Sequence, residues 1–138
     1  MGQRVECERI SDYLRRRSDT PAGEQSLEIV LLCDRLWPRG ISRASLAGIV
    51  WKKEWAPSTP LRTGLHSGQL APDEFRKRYR SELSGLRESL LSDLRELGAR
   101  VSGEEKLRLL TASRTLSEGH LPVLAAYVEE LLSPRPMP

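Results

Sequence analysis

The sequence predicts a small single α/β domain in which a mostly parallel sheet is flanked by helices. Two aliphatic runs, at residues 27–33 and 107–112, are too short for typical helices and have the composition of buried strands. Segments with helical spacing of apolar residues lie between them, and strands separated by helices favour parallel pairing. The 138 residues fit one domain, which we expect to span residues 1–133 and to end in a flexible tail at 134–138.

The N-terminal part of the chain is predicted to alternate between strand and helix. Residues 3–7 alternate polar and apolar side chains, which indicates a short strand, and residues 11–17 have the pattern of a brief helix. The composition of residues 18–25 is that of a loop, rich in Ser, Thr, Pro and Gly. The buried strand at 27–33 follows this loop.

After that strand, a proline and a glycine prevent regular structure, and helices are then predicted for the rest of the middle region. Ser42 can cap a short helix over residues 43–50. Ser58 can cap a second helix that runs to about residue 66 and accepts a proline in its first turn.

The C-terminal half contains the longest helical pattern. Pro72 opens a segment in which apolar side chains recur every three or four residues. Gly85 is expected to break this segment into two helices, and Gly98 to end the second one. The strand at 107–112 follows, and a last helix is predicted over residues 118–132.

Composition places only broad limits on function. Hydrophobic residues make up 38% of the chain and charged residues 30%, as in ordinary globular domains. The formal net charge of +3 permits an anionic ligand without requiring nucleic acid. No apolar segment approaches the roughly 20 residues that span a bilayer, so we expect a cytoplasmic protein without a membrane partner. Cofactors and the oligomeric state are left open.

Cysteines and histidines do not predict a metal site. Cys7 and Cys33 are too few for a disulfide framework, and Cys33 has the surroundings of a small buried hydrophobe. His66 and His120 lack the ligand spacing of structural zinc sites, although a single axial histidine would suffice for haem. His120 is the better candidate to face a pocket and to act in acid–base chemistry; its alternative is a solvated residue at a helix start.

The run at residues 34–40, Asp-Arg-Leu-Trp-Pro-Arg-Gly, is the most informative feature. Arg35 and Arg39 could grip a phosphate or carboxylate, and Trp37 could stack on a planar ring. Asp34 is the first candidate for a general base. The alternative is a structural corner, in which Trp37 packs in the core and Asp34 pairs with one of the two arginines.

A second group of candidates follows the 34–40 run. In an extended segment Trp51, Lys53 and Trp55 would share one face and could wall a pocket, while core anchoring is the alternative for both indoles. Ser58 and Arg62 lie at a predicted helix start, which is a natural place for an anion, although Ser58 could equally be a simple cap.

Polar residues also follow the second predicted strand. Ligands bind at the carboxyl ends of strands in parallel sheets, so Arg114 becomes a ligand-binding candidate. Tyr79 and Glu82 share a helical face, but a buried tyrosine with a satisfied hydroxyl is the preferred interpretation. The basic run at residues 76–80 is interpreted as a solvated helix face.

These motifs resemble the YeaO-like branch of domain-of-unknown-function family 488. The resemblance covers about residues 27–132 and is carried by the strings at residues 34–42, 51–58, 61–62 and 75–79. It implies a small α/β fold but no particular activity. The last block departs from the family's pattern: Thr111, Arg114, Thr115 and Gly119 stand where that pattern has Tyr, Lys, Asp and Asn, whereas His120 matches. The resemblance therefore implies changed or lost activity, if the missing Asp and Asn carry the chemistry.

The leading hypothesis is a pocket at the carboxyl edge of the sheet for an anionic, planar small molecule, such as a nucleotide or nucleoside. Catalysis at that pocket is left open. One alternative is a non-enzymatic module that binds nucleic acid or protein. Another is a haem- or metal-dependent enzyme derived from the same fold.

Overall fold

The computed structural model describes residues 4–19, 28–117 and 119–133. Two sequence predictions fall outside these residues: most of the loop at 18–25, and the tail at 134–138. No helix in the described part of the chain is long and apolar enough to cross a membrane.

Four parallel strands form the sheet, which confirms the predicted fold class. They are β1 (Val5–Arg9), β2 (Glu28–Leu32), β3 (Val50–Trp51) and β4 (Lys106–Thr111), in the spatial order β1-β4-β2-β3. Both aliphatic runs are strands within a residue of their predicted bounds, and they pair directly with each other in the centre of the sheet. Leu32 lies opposite Leu110, so the segments that follow β2 and β4 leave the sheet at the same edge.

In the described part of the chain, five α-helices flank the sheet: α1 (Ile10–Asp19), α2 (Thr59–His66), α3 (Pro72–Gly85), α4 (Arg87–Glu96) and α5 (Leu121–Leu132). The predicted helix at 11–17 extends two residues further than expected, into the predicted loop. The break between α3 and α4 falls directly after Gly85, as predicted. After α4 the chain turns at Gly98, whose φ of 93° suits a residue without a Cβ.

The predicted helix over residues 43–50 is wrong. Only Ala44–Leu46 forms a turn of 3-10 helix, and Val50 begins β3. Gly48 has a φ of 86°, which ends the helical turn, and pairing with β2 then stabilises an extended backbone. The residue at the N-cap of this turn is Arg43 rather than the predicted Ser42, although the Oγ of Ser42 accepts a hydrogen bond from the backbone N–H of Ser45 at 3.1 Å.

The predicted extended face of Trp51, Lys53 and Trp55 is also wrong. Lys53–Trp55 is a second turn of 3-10 helix, so the two indoles are not related by strand alternation. Trp55 is 2% exposed and belongs to the larger of two hydrophobic clusters, whereas Trp51 packs against the smaller one. The alternative interpretation, a core anchor, is confirmed for Trp55.

Alternation along β4 divides the core between the two faces of the sheet. Leu107 and Leu109 belong to the larger cluster, which includes residues from α2, α3, α4 and α5. Leu110 belongs to the smaller cluster on the other face, beneath α1 and the turn at Ala44–Leu46. Cys33 is fully buried in the larger cluster, as predicted.

A charge network also occupies the smaller-cluster face of the sheet. Arg108 of β4 donates hydrogen bonds to Glu28 on β2 at 2.9–3.2 Å, and to Glu8 and Glu6 on β1 at 3.2 and 3.1 Å. Its side chain is 15% exposed. One guanidinium therefore links the three adjacent strands β1, β4 and β2.

The basic run at residues 76–80 is an exposed, ion-paired helix face. Arg76 pairs with Asp73, Arg78 with Glu74, and Arg80 with Glu130. These pairs agree with the predicted solvated face and leave this run without a concentrated positive charge.

Candidate functional site

A cavity of about 550 Å³ opens where β2 and β4 end. Seven of the ten residues that the sequence singled out as site candidates line it: Asp34, Arg35, Trp37, Arg39, Arg62, Arg114 and His120. This is the strand edge at which ligands bind in parallel α/β sheets. The segment after β2 and the segment after β4 form adjacent parts of the wall.

Asp34 joins the ends of the two strands. Its Oδ1 accepts a hydrogen bond from the Thr111 hydroxyl, and its Oδ2 accepts one from the Ala112 backbone N–H, both at 2.7 Å. The expected alternative, a pair between Asp34 and Arg35 or Arg39, is wrong. The carboxylate instead holds the C-terminal end of β4, because β2 and β4 are adjacent in the sheet.

His120 lies beside this carboxylate, directly before α5. Its Nε2 is 2.8 Å from the carbonyl oxygen of Cys33 and 3.5 Å from Asp34 Oδ1. A carbonyl can only accept, so Nε2 carries a proton. Burial lowers the pKa of His120 below its usual 6.5, and the nearby charge of Asp34 opposes this shift. The ring is part of the pocket wall, and the interpretation as a solvated residue is wrong.

Arg35 positions the wall rather than presenting a free guanidinium. Its Nε donates to the carbonyl of Pro57 at 3.0 Å, and its Nη2 to that of Ala56 at 2.9 Å. These two carbonyls lie just before α2. Arg35 therefore fixes the direction in which α2, with Arg62 in its first turn, enters the pocket.

Trp37 lines the cavity and also packs against the smaller core cluster. Its indole N–H donates to the carbonyl of Ile41 at 2.7 Å. The ring meets Trp51 edge to face at 5.3 Å, and the Cζ of Arg43 lies 4.4 Å over it.

Three arginines supply uncompensated positive charge. Among the residues that the structure describes, the side chains of Arg39, Arg62 and Arg114 have no hydrogen-bond or ion-pair partner. Arg39 and Arg114 are exposed. Arg62 differs, because its Nε is buried and still has no acceptor. A buried N–H group without an acceptor costs about 1–3 kcal/mol, which makes this atom conspicuous.

Several of the other lining residues are apolar, and sequence reasoning did not select them. Leu36, which is 61% exposed, Pro38, Leu65 and Phe75 add apolar surface. Phe75 lies on the apolar stripe of α3, so its pattern indicates only burial. His66 also lines the cavity, although the sequence favoured only His120.

Three predicted ligand-binding residues lie outside the cavity lining. The indole N–H of Trp51 donates to the Asp34 carbonyl at 2.7 Å, and Lys53 Nζ lies 5.2 Å from the centre of the Trp51 ring. Ser58 precedes α2 as predicted, but its side chain makes no capping bond, and its backbone N–H donates to Glu82 at 3.0 Å.

Tyr79 has the structural role that the sequence favoured. Its side chain is fully buried, and its hydroxyl donates to the backbone carbonyl of Trp55. Burial raises the pKa of Tyr79 well above its usual value, so the hydroxyl stays protonated. Glu82 accepts its bond from Ser58 and does not pair with this hydroxyl.

The donor set does not form a multi-ligand metal centre. Within residues 4–19, 28–117 and 119–133, no group of three His, Cys, Asp or Glu side chains is placed to hold a metal ion. Burial raises the pKa of Cys33 well above its usual value, so its thiol is protonated and unreactive.

Fold and site together define a small all-parallel α/β domain with an arginine-rich pocket at the strand ends. The family model that matches residues 5–136 is described as "Inactive DUF488-N3 subclade". The chain therefore belongs to domain-of-unknown-function family 488, as its motifs indicated.

The relatives are themselves uncharacterised. The chain is 34% identical to the uncharacterised protein YeaO of Escherichia coli K12, over 92% of this chain and 98% of YeaO. It is 36% identical to an uncharacterised protein of Mycobacterium tuberculosis H37Rv, over 69% of this chain and 75% of that protein. No solved structure matches the chain.

Proposed function

We propose that the protein binds an anionic small molecule of nucleotide size in the strand-end pocket, and that it holds this molecule without converting it. The observation that carries the proposal is Arg62, which lines the cavity and whose side chain has no partner among the described residues, its buried Nε included.

An anionic ligand in the cavity would give the Arg62 guanidinium the partner that it lacks. Phosphate and carboxylate oxygens accept from a guanidinium in a two-bond geometry, and such charge-assisted bonds are the stronger ones in proteins. Arg39 and Arg114 would supply further donors from the 34–40 loop and from the segment after β4. Four arginines and one carboxylate line the cavity, so its potential favours an anion.

The size and lining of the cavity favour an organic ligand with a flat part. A volume of about 550 Å³ lies within the range of roughly 300–1,000 Å³ that small-molecule sites occupy. Leu36, Pro38 and Phe75 offer apolar contact, and Trp37 offers an aromatic surface. A nucleoside monophosphate has both required parts, a charged group for the arginines and a planar ring for this surface.

Binding without turnover is favoured because both acid–base candidates are engaged in structure. Each Asp34 oxygen already accepts a short hydrogen bond, and the Nε2 of His120 is held by a backbone carbonyl. The description "inactive" in the family model agrees with this assignment. So does the changed or lost activity that the family resemblance implies from Thr115 and Gly119.

A thermal-shift panel tests the proposal. The chain is melted with each of the four common ribonucleoside monophosphates, with the matching nucleosides, and with inorganic phosphate. A ligand present at 100 times its Kd stabilises the fold by about 2.7 kcal/mol, which raises the melting temperature by several degrees.

The matched variants are Arg62→Ala and Arg95→Ala. Arg95 is exposed on α4 and lies outside the cavity lining, so its removal changes net charge equally. We expect Arg62→Ala to abolish most of the shift and Arg95→Ala to preserve it. The proposal fails if no nucleotide shifts the wild-type protein at millimolar concentration, or if both variants respond alike.

A further inference from the structure

A second cationic feature lies directly beside the pocket. Lys53 Nζ lies 5.2 Å from the centre of the Trp51 ring, and Arg43 Cζ lies 5.3 Å from Trp51 and 4.4 Å from Trp37. We call these four residues the cation–indole ladder. Because Trp37 also lines the pocket, the ladder and the pocket share a side chain.

We propose that the ladder is a contact surface for single-stranded nucleic acid whose terminal nucleotide occupies the pocket. The inference rests on the proposed function, because it identifies the pocket's ligand as the end of a longer chain.

The two ladder cations are positioned but not neutralised. Arg43 and Lys53 are exposed, and neither side chain has a hydrogen bond or an ion pair with any residue in the described part of the chain. Contact with the indoles restricts their motion while their N–H groups stay available for phosphate oxygens. Part of the entropy that a flexible surface cation loses on binding is therefore already lost in the free protein.

The charge pattern of the sequence favours a polyanion. Residues 35–72 contain six lysines and arginines but one acidic residue, Glu54, which is exposed beside Lys53. This segment contributes the whole ladder together with Arg39 and Arg62 of the pocket. Its excess of positive charge is larger than the net charge of +3 for the entire chain.

Nucleic acid fits these features better than an acidic peptide does. Cations interleaved with aromatic rings are typical of surfaces that bind single strands, where bases stack on rings and on arginine. The cavity also has room for one nucleotide with its flat base. An acidic peptide would match the charges but would not use the aromatic surface.

Two titrations test the inference. Fluorescence anisotropy measures binding of a single-stranded oligonucleotide of about ten residues, a length within the usual site sizes of single-strand binders. Calorimetry measures binding of the corresponding nucleoside monophosphate. We expect the oligonucleotide to bind more tightly than the mononucleotide, with an affinity that falls as salt rises.

The variants separate the ladder from the pocket. Lys53→Ala and Arg43→Ala should weaken oligonucleotide binding several-fold, and each should reduce the salt slope by about 0.7 for one lost phosphate contact. Lys53→Ala should leave mononucleotide affinity unchanged, whereas Arg62→Ala should weaken both ligands. Arg95→Ala is the control for net charge, and melting temperatures check that each variant is folded.

The contrary results decide separately on the inference and on the proposed function. If the mononucleotide binds and the oligonucleotide binds no more tightly, the inference is wrong and the proposed function stands. If neither ligand binds, both fail. Unchanged oligonucleotide affinity in Lys53→Ala and Arg43→Ala shows that the ladder is not the contact surface. If poly-glutamate of matched charge binds as tightly as the oligonucleotide, the assignment to nucleic acid is wrong.

Discussion

Removing the Asp34 carboxylate should destabilise the fold, because this group connects the ends of the two central strands. In Asp34→Ala the Thr111 hydroxyl and the Ala112 N–H each lose a charged acceptor at 2.7 Å. Hydrogen bonds to charged groups contribute about 1.5–3 kcal/mol each. The Asp34 side chain is 16% exposed and Ala112 is exposed, so water replaces part of the loss. We therefore expect a decrease of about 2–4 kcal/mol in the free energy of unfolding.

Urea denaturation followed by circular dichroism measures this decrease. Asp73→Ala is the matched control, because Asp73 is 93% exposed and pairs only with a neighbouring helix residue, Arg76. Removing the Asp73 carboxylate should lower the free energy of unfolding by less than about 0.5 kcal/mol. If Asp34→Ala is as stable as Asp73→Ala, Asp34 does not hold the strands together. Its carboxylate would then be available for the acid–base chemistry that the sequence first indicated.

Two further substitutions test the buried ionisable side chains of His120 and Arg108. Burial lowers the pKa of His120 below its unfolded value of about 6.5, so the unfolded chain takes up a proton more readily than the folded protein. The free energy of unfolding should therefore fall as pH drops below about 6.5, and His120→Gln should flatten this part of the stability–pH curve. An unchanged curve in His120→Gln would refute the contribution of His120. Arg108→Met removes the guanidinium that links Glu6, Glu8 and Glu28 and should lower the free energy of unfolding by about 2 kcal/mol at pH 7; a loss no larger than that of Asp73→Ala would contradict a structural role for this charge network.

The parts of the fold that sequence predicted correctly depend on local signals. The strands β2 and β4 are unbroken aliphatic runs, and α3 and α4 follow an apolar stripe with Pro72 and Gly85 at their boundaries. In each case the residues that specify the element lie inside it or next to it. The string at 34–42, which is one of those that carry the resemblance to family 488, is likewise a local signal because it is one continuous segment.

The errors arise where distant parts of the chain decide the structure. β3 is two residues long and exists because Val50 and Trp51 pair with β2, a contact that no local pattern at 43–50 indicates. The partner of Asp34 is Thr111, 77 residues away, rather than the adjacent arginines. Sequence placed both residues at strand ends, but only the sheet order places those two ends side by side.

The roles of the site arginines were separable only in three dimensions. All were candidate anion ligands by residue type. Arg35 is engaged by two backbone carbonyls, whereas Arg62 has a buried donor without an acceptor. No sequence signal distinguishes these cases, since the bonds of Arg35 depend on how the residues before α2 pass the 34–40 loop and the burial of Arg62 Nε depends on the folded structure.

A crystal structure with a bound nucleoside monophosphate is the most direct test of anion binding at the strand-end pocket. We expect an oxygen of the phosphate to lie roughly 3 Å from a guanidinium nitrogen of Arg62, with the base against Trp37. An empty pocket in crystals saturated with the nucleotide would contradict the proposal, as would a nucleotide bound there without any contact to the Arg62 guanidinium.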